Sequence, residues 1–417
     1  MITETILEKN PFFGREPGNG FFSFFPFPKQ DDILVILKKK HTNREVRAVK
    51  YLFSGDIQYY SGRKQKKKYM KKVLVILLVV LVVMFSAGSF LMIHDTYQQM
   101  FGRADRPERT VYQTYEDIAQ DYSRTEISFP SQGNTLKGYL YGPKKAQALV
   151  VISHGMGGGA DSYIKEAAYF AKRGFKVLAF DNTGSYDSEG DGIVGLSQSV
   201  IDLDAALSYV EHNEELKKLP VLLYGHSWGG WAVASILHYD HDITAAVSVA
   251  GYNSPMEMIM DWVKDDMGLL RYAEYPYIWI YQKALFGGAA NLSAAECINE
   301  TDTPVLIMQG TEDKVVGCDT VSIMAHQEEI TNPNARFIRW SEDGQNGHSD
   351  LFRDPENAAY RQEVADSWDA LQEQYGGDVP EGEAARWYAG VDKARMSKLD
   401  EVFMQDVYQF FKEALEE

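Results

Sequence analysis

From about residue 124 onward, the chain alternates short apolar runs with amphipathic segments. The segments between the runs place apolar residues at every third or fourth position, as in 197–212, which is typical of a helix that covers a sheet. Buried strands are predicted at the apolar runs 149–153, 176–180, 221–224, 245–251 and 304–308. This alternation predicts the α/β class: a mostly parallel, twisted sheet with helices on both faces.

Two segments interrupt the alternation. Residues 252–300 are rich in Met, Trp and Tyr, have helical character and come directly after the run at 245–251. Ligands of open α/β sheets bind beyond the carboxyl ends of the strands, so we expect a helical cap here, part of which lines the substrate pocket. A charged, helical extension at 351–400 precedes a final helix at 402–415. The globular domain is therefore predicted over 124–417.

An uncharged stretch precedes this domain. Residues 73–93 contain no charge, and their number is close to the ~20 that a helix needs to cross the hydrocarbon of a membrane. Lysines crowd its N-terminal side, which favours a cytoplasmic N-terminus and an extracytoplasmic domain. We expect a signal-anchor helix at 73–93 and a helical stalk at 94–123. The small residues at 86–89 also fit a cleaved secretory signal, so a secreted domain is the alternative.

Charge is distributed unevenly along the chain. The 417 residues have a formal net charge of −17, yet the basic N-terminal segment, residues 1–72, holds 16 Lys and Arg against 7 Asp and Glu. The body that follows is strongly acidic, which argues against nucleic acid as a partner because a polyanion would be repelled. A signal-like pattern begins at Met70, and this favours the hypothesis that translation starts there.

A G-x-S-x-G pentapeptide follows the run at 221–224 directly. It reads Gly225-His226-Ser227-Trp228-Gly229 and precedes a segment of small and apolar residues, 229–237, that is typical of a buried helix. A serine at the apex of a sharp strand-to-helix turn has its hydroxyl pushed out of the backbone, and the glycines allow strand and helix to approach closely. Ser227 is therefore the predicted nucleophile.

A serine hydroxyl needs a base within hydrogen-bond reach and an acid that orients that base. In a sheet of this order both follow the serine, at the ends of later strands. His348 is the expected base because it lies in a loop after the last predicted strand, 335–340, whereas His326 falls in a predicted helix at 321–330. Asp313 is the expected acid, in an acidic loop that also offers Glu312 and Asp319 as alternatives.

Two backbone N–H groups must stabilise the oxyanion of such a reaction. We expect one from Trp228 and one from Met156, in the glycine-rich loop 154–159. That loop lacks the signatures of a phosphate loop or a dinucleotide site, so no cofactor is predicted. No metal site is predicted either, because no Cys or His lies at ligand spacing with a partner. Cys297 and Cys318 allow either a disulfide or two free thiols.

Together these motifs resemble the α/β-hydrolase superfamily over residues 124–350 and the final helix. They occur in that family's order: His-Gly-Met-Gly-Gly-Gly at 154–159, Asp181, Gly-His-Ser-Trp-Gly at 225–229, Gly-Thr-Glu-Asp at 310–313 and Gly-His at 347–348. The pattern is most similar to exported or membrane-anchored hydrolases of the esterase, dienelactone hydrolase-like and serine-peptidase-like types. The resemblance implies Ser227 as nucleophile, His348 as base, Asp313 as orienting acid and an acyl-enzyme that water resolves.

The leading hypothesis is a serine hydrolase that cleaves a carboxylic ester of a small-molecule or acyl substrate without a cofactor. A peptidase or an acyltransferase could use the same three residues, because the shape of the cap sets the leaving group. An inactive binding module is the third hypothesis, and the complete set of Ser, His and Asp argues against it. The sequence predicts neither the natural substrate nor the oligomeric state.

Overall fold

The computed structural model describes residues 63–416, with side chains from residue 67 onward. The predictions that concern residues 1–62, which make up most of the basic N-terminal segment, lie outside the described residues. Within the described range, one compact unit ends at Ile93 and a second begins at His94.

A single long helix, α1, covers Arg63–Met100. Its part from Lys67 to Met100 is long and apolar enough to cross a membrane, judged by length and composition. The large apolar side chains of residues 74–84 are exposed to the surroundings. A helix that is apolar on every side is suited to hydrocarbon rather than to a water-facing surface.

The segment predicted as a helical stalk, 94–123, is helical only in two short parts. Helix α1 ends at Met100, and a single turn, α2, forms at Tyr115–Ile118. Between them the backbone is irregular because it is tied to the surface of the second unit. The guanidinium of Arg103 donates to the carbonyl oxygens of Tyr186 at 2.5 Å and Gly190 at 2.8 Å. Within 94–123, residues 94–100 and 115–118 are therefore helical and the remainder is irregular.

The second unit is built on one eight-stranded sheet. Its strands are β1 (Thr125–Ser131), β2 (Asn134–Tyr141), β3 (Leu149–Ser153), β4 (Lys176–Phe180), β5 (Val221–His226), β6 (Ala245–Val249), β7 (Val305–Gly310) and β8 (Ala335–Trp340). They are ordered β1-β2-β4-β3-β5-β6-β7-β8. Strand β2 pairs antiparallel with β1 and with β4, and every other pair of neighbours is parallel. The predicted α/β class with a mostly parallel sheet is confirmed.

Helices connect and cover these strands. They are α3 (Ile164–Lys172), α4 (Gln198–His212), α5 (Trp228–Ser235), α6 (Pro255–Trp262), α7 (Lys264–Met267), α8 (Arg271–Phe286), α9 (Ala294–Asn299), α10 (Ala358–Gln374), α11 (Glu381–Gly390), α12 (Lys393–Met396) and α13 (Glu401–Glu416). Short 3₁₀ turns occur at Ala160–Tyr163, Leu216–Lys218, Ile236–His238, Gly268–Leu270, Gly287–Asn291, Ile323–His326 and Pro355–Asn357.

Periodicity explains how these helices pack. Helix α4 buries Val200, Leu203 and Leu207, which recur every three or four residues, as an amphipathic helix requires. The last helix, α13, contributes Phe403, Val407 and Phe411 to the core that contains the strands. Each of these two helices thus buries an apolar stripe of its own.

The sharpest local constraint lies where β5 turns into α5. A Cβ atom on Gly225 would overlap the carbonyl oxygen of Gly229, and a Cβ atom on Gly229 would overlap the carbonyl oxygen of Ser153 on β3. Strand β3, strand β5 and helix α5 therefore meet backbone to backbone, which only glycine allows.

We expect Gly229→Ala to lower the free energy of unfolding by about 3 kcal/mol or more, because the added methyl group meets rigid backbone rather than a movable side chain. Gly288→Ala is the matched control, since a Cβ atom at Gly288 meets nothing within 4 Å. Urea unfolding followed by circular dichroism measures both. Equal stability of the two variants would contradict the close approach at the turn.

Candidate active site

Ser227 lies at the apex of the turn between β5 and α5. Its backbone has φ 57° and ψ −115°, a region that a residue with a side chain rarely occupies and that costs about 1–3 kcal/mol. The turn is held by the Ser227 N–H, which donates to the carbonyl oxygen of Val249 on the neighbouring strand β6 at 2.8 Å. The strained backbone presents the serine side chain at the carboxyl end of the sheet.

Asp313 and His348 form a buried pair at the same end of the sheet. Nδ1 of His348 lies 2.8 Å from Oδ2 of Asp313, and the two side chains are 2% and 0% exposed. The carboxylate of Asp313 also accepts the N–H groups of Val315 and Val316 at 2.8 Å each, and the amide of Gln309 at 2.8 Å. Four donors around one carboxylate hold it in place.

The other ring nitrogen of His348, Nε2, is not engaged by Asp313. Because Asp313 accepts at Nδ1, that nitrogen carries the proton and Nε2 of the neutral ring is an acceptor. Nε2 is buried and has no hydrogen-bond partner within the described part of the chain. His348 and Ser227 line the same cavity, so this nitrogen is available to take a proton from a nucleophile there.

The predicted oxyanion donors lie beside this cavity. Trp228 is the first residue of α5, where a helix N–H has no partner within its own helix, and Met156 lines the cavity wall. The preceding N–H, that of Gly155, already donates to the Tyr163 hydroxyl at 3.0 Å. Met156 stays the predicted oxyanion donor of this loop, and Gly157, which follows it, also lines the cavity.

Two buried groups fix the loop that carries Met156. Nε2 of His154 accepts from the N–H of Asn182 at 2.9 Å, so its Nδ1–H donates to the carbonyl of Gly155 at 2.8 Å. Burial lowers the pKa of His154 to about 4, which keeps the ring neutral. Asp181 accepts the N–H of Ala160 at 2.7 Å, and burial raises the pKa of Asp181 to about 7.

A third histidine, His226, connects the parts of the site, and no role was predicted for it. Its Nε2 donates to the carbonyl oxygen of His348 at 3.0 Å, and its Nδ1 accepts from the Tyr163 hydroxyl at 2.7 Å. Burial and the neighbouring His348 hold the pKa of His226 well below its usual range. Gly155, Tyr163, His226 and His348 thus form one continuous hydrogen-bonded chain. Nothing in the local sequence around Tyr163 signals this partner.

The alternative site residues lie elsewhere. His326 is in a 3₁₀ turn rather than in the predicted longer helix, and its Nε2 is 3.1 Å from Oε2 of Glu257. Asp319 pairs with Arg339 at 2.7 Å, and Glu312 is exposed.

The two cysteines, Cys297 and Cys318, are both buried free thiols. The described residues contain no group of three or more His, Cys, Asp or Glu that could hold a metal ion.

The cavity around Ser227 measures about 840 Å³. Its floor carries Ser227, His348 and Met156. One wall is the linker 105–114 that follows α1, and another comes from α11 and α12 through Ala385, Tyr388, Ala389 and Lys393. The exposed pair Arg109 and Glu381, 2.5 Å apart, joins the two walls.

This lining corrects the prediction for the aromatic segment 252–300. That segment is helical, as expected, but none of its residues lines the cavity around Ser227. Its buried part, which includes Met256, Met258 and Ile278, packs as core. The expectation that part of it lines the substrate pocket is therefore wrong. The linker and the C-terminal extension form the cavity walls instead, because ion pairs and hydrogen bonds hold them over the strand ends.

Comparisons with known proteins agree with this fold. Residues 144–287, about a third of the chain, match the model of the family described as serine aminopeptidase, S33. The matched segment contains Met156 and Ser227 and ends before Asp313 and His348.

Two curated proteins share part of the sequence. The quorum-quenching protein AidA of Acinetobacter baumannii is 28% identical over 142 residues, which cover 32% of this chain and 47% of that protein. An uncharacterized abhydrolase domain-containing protein of Dictyostelium discoideum is 34% identical over 113 residues, which cover 26% of this chain and 11% of that protein. The match thus spans about half the length of the first relative and about a tenth of the second.

Solved structures with a similar chain path include two from microbial sources. An esterase of Pyrococcus furiosus has 16% sequence identity and a TM-score of 0.45, covering 66% of this chain and 98% of that one. Est1E of Butyrivibrio proteoclasticus, solved with ferulic acid bound, has 18% identity and a TM-score of 0.42, covering 53% and 90%.

The second unit has the α/β-hydrolase fold, with the strand order given above and an antiparallel second strand, and its residues 144–287 match the serine aminopeptidase, S33, family model.

We expect Tyr163→Phe to lower the free energy of unfolding by about 1–3 kcal/mol, because it leaves Nδ1 of His226 and the N–H of Gly155 buried without partners. Tyr169→Phe is the control: the Tyr169 hydroxyl has no hydrogen-bond partner in the described structure, so its loss should change stability little. Thermal and urea unfolding report the difference. A Tyr163→Phe variant as stable as Tyr169→Phe would rule out the chain of hydrogen bonds.

We expect Tyr388→Ala to shift the preference among p-nitrophenyl esters toward longer acyl chains, because it widens the cavity wall. Each methylene newly buried is worth up to about 0.8 kcal/mol, or about fourfold in kcat/KM. Tyr272→Ala in the aromatic segment is the control, since Tyr272 is 59% exposed and outside the cavity. A change in acyl-chain preference caused by Tyr272→Ala and not by Tyr388→Ala would indicate that the segment 252–300 forms the pocket wall.

Proposed function

We propose that the second unit is a serine hydrolase that cleaves a carboxylic ester through an acyl-enzyme. One observation carries this proposal: the buried Asp313–His348 pair leaves Nε2 of His348 unpartnered in the cavity that also contains Ser227. Such an arrangement of an oriented neutral imidazole near a strained serine is what nucleophilic acyl transfer requires.

The reaction follows from these roles. Nε2 of His348 accepts the proton of the Ser227 hydroxyl as its oxygen attacks the ester carbonyl carbon. The N–H groups of Met156 and Trp228 donate to the oxyanion that forms. The imidazolium, stabilised by Asp313, returns its proton to the departing alkoxide, which leaves as the alcohol. Water then attacks the acyl-enzyme by the same steps, releasing the acid and restoring Ser227.

The cavity supports a small-molecule or acyl substrate. Its volume of about 840 Å³ lies within the range of pockets that bury most of a small ligand. Its walls carry charges of both signs, with Glu108 and Glu116 beside Arg353 and Lys393, so no single charge on the substrate is demanded. A carboxylic ester needs only this machinery, and no cofactor enters any step.

A peptidase is the second candidate, favoured by the description of the family model that matches residues 144–287. An acyltransferase would use the same acyl-enzyme with an alcohol or amine in place of water. The three differ in the leaving group and the acceptor rather than in the roles of Ser227, Asp313 and His348.

The proposal extends to location. With α1 retained as a signal-anchor over 73–93 and the lysines at 64–72 on the cytoplasmic side, the hydrolase unit faces outward from the cell membrane. A secreted form would arise if the segment were cut near the small residues at 86–89.

We expect a fluorophosphonate probe to label the purified full chain and to lose all labelling in Ser227→Ala, because only an activated serine reacts with it. Ser208→Ala, a serine on α4 outside the cavity around Ser227, is the control and should label fully. Circular dichroism confirms that each variant is folded. Folded wild-type protein that does not react would favour the inactive binding module over the hydrolase.

Substrates then separate the candidates. Faster turnover of p-nitrophenyl esters than of aminoacyl anilides supports the esterase, and the reverse order supports the peptidase. Formation of a new ester when a primary alcohol is added supports the acyltransferase.

A further inference from the structure

The exposed side of helix α8 is apolar, unlike that of an ordinary surface helix. The residues of α8 that are exposed are all apolar or aromatic: Tyr272, Ala273, Tyr275, Pro276, Trp279, Ile280, Ala284 and Leu285. Its buried positions include Glu274 and Gln282. A helix on the surface of a water-soluble domain turns its polar side outward. The outward side of α8 therefore has the character of an interaction surface.

The turn before α8 extends this surface. Leu269 and Leu270, in the 3₁₀ turn Gly268–Leu270, are 85% and 43% exposed. We call the surface formed by Leu269, Leu270, Tyr272, Tyr275, Trp279, Ile280 and Leu285 the apolar face of α8. Single exposed apolar residues are common, whereas a contiguous group of this kind marks an interaction site.

The position of α8 in the second unit points to what covers this face. Nδ1 of His94 lies 3.0 Å from the hydroxyl oxygen of Tyr281, and the rings of Tyr97 and Tyr281 are in edge contact with centroids 4.8 Å apart. His94 directly follows Ile93, the last residue of the predicted membrane span 73–93. Helix α8 thus contacts the first residues that follow the span.

We propose that the apolar face of α8 rests in the interfacial layer of the bilayer that holds the span 73–93. Tyr and Trp with a polar atom and an apolar ring are the side chains that favour the boundary between headgroups and hydrocarbon. Trp279 satisfies its indole N–H on Asn291 at 2.9 Å, so its ring enters the bilayer without an unpaired donor. The seven residues of the face are uncharged, and the half-buried Arg271 places its guanidinium over the ring of Tyr272 at its edge. In this arrangement the span and α8 both hold the hydrolase unit at the lipid.

This proposal depends on retention of the span and not on the catalytic roles proposed above. Its test therefore uses no activity measurement. A second copy of the chain is the competing occupant of the same face, and the experiment must separate the two.

The full chain, reconstituted into phosphatidylcholine and phosphatidylglycerol vesicles, carries a nitroxide at Ala273→Cys or Ala284→Cys. Lys218→Cys, at an exposed site of the second unit, is the matched control, and protein without an added cysteine gives the background from Cys297 and Cys318. We expect collision of the α8 probes with a water-soluble nickel complex to fall about fivefold or more below that of the control, and collision with oxygen to rise, as for an interfacial helix.

Two results would overturn the proposal. Nickel accessibility at Ala273→Cys and Ala284→Cys equal to that at Lys218→Cys would leave the face in water. Shielded probes that show dipolar broadening, lost on dilution with unlabelled chain, would assign the face to a second copy.

A substitution in the face provides an independent measurement. Ile280→Asp places a charge one turn from Ala284 and should raise nickel accessibility of the Ala284→Cys probe toward the control value, because a carboxylate is excluded from the interface. Val402→Asp changes another exposed apolar residue, 65% exposed on α13, and should leave that probe shielded. Equal effects of the two substitutions would contradict lipid contact at α8.

Discussion

The rest of the site depends on one constraint. Strands β3 and β5 and helix α5 meet backbone to backbone, without intervening side chains. Gly225 and Gly229 allow this contact, and the turn between them forces Ser227 into its unusual backbone conformation. The same contact brings the loop after β3, with Met156, next to the start of α5. Ser227, Met156 and the start of α5 are thus positioned by main-chain packing, before any side-chain interaction contributes.

Burial sets the protonation of the histidines around this point. His154 and His226 are enclosed and neutral, and each uses one nitrogen as donor and the other as acceptor toward defined partners. His348 differs in having a carboxylate on one side and no partner on the other. Three imidazoles within one region therefore have different capacities for proton transfer, and the difference arises from their neighbours rather than from the residue type.

The sheet and the order of the site residues could be predicted from the sequence because both depend on local pattern. Apolar runs and helical periods predict the strands and α4, and the spacing of Ser227, Asp313 and His348 after successive strands predicts that they meet at one edge. The match to the α/β-hydrolase superfamily bears out the class, while the roles of the three residues stay predictions.

The walls of the cavity were not predictable in the same way. They depend on which segments pack over the strand ends, and this is decided by contacts between residues far apart in sequence. The linker is held in place by Arg103, which donates to the carbonyl oxygen of Gly190, and by the ion pair of Arg109 with Glu381. Such pairs cannot be predicted from sequence periodicity. The aromatic segment 252–300 misled the prediction for a related reason: composition alone does not distinguish a pocket wall from core or from an outward apolar surface.

The linker 105–114 and helices α11 and α12 come from opposite ends of the folded unit, yet both enclose Ser227. A growing chain in which the residues after 380 have not yet emerged therefore has Ser227 without one side of the cavity. The order of synthesis thus delays completion of this cavity until helices α11 and α12 have been made. If the chain folds after it crosses a membrane, the last helices fold on the far side. The pocket then first becomes complete in that compartment.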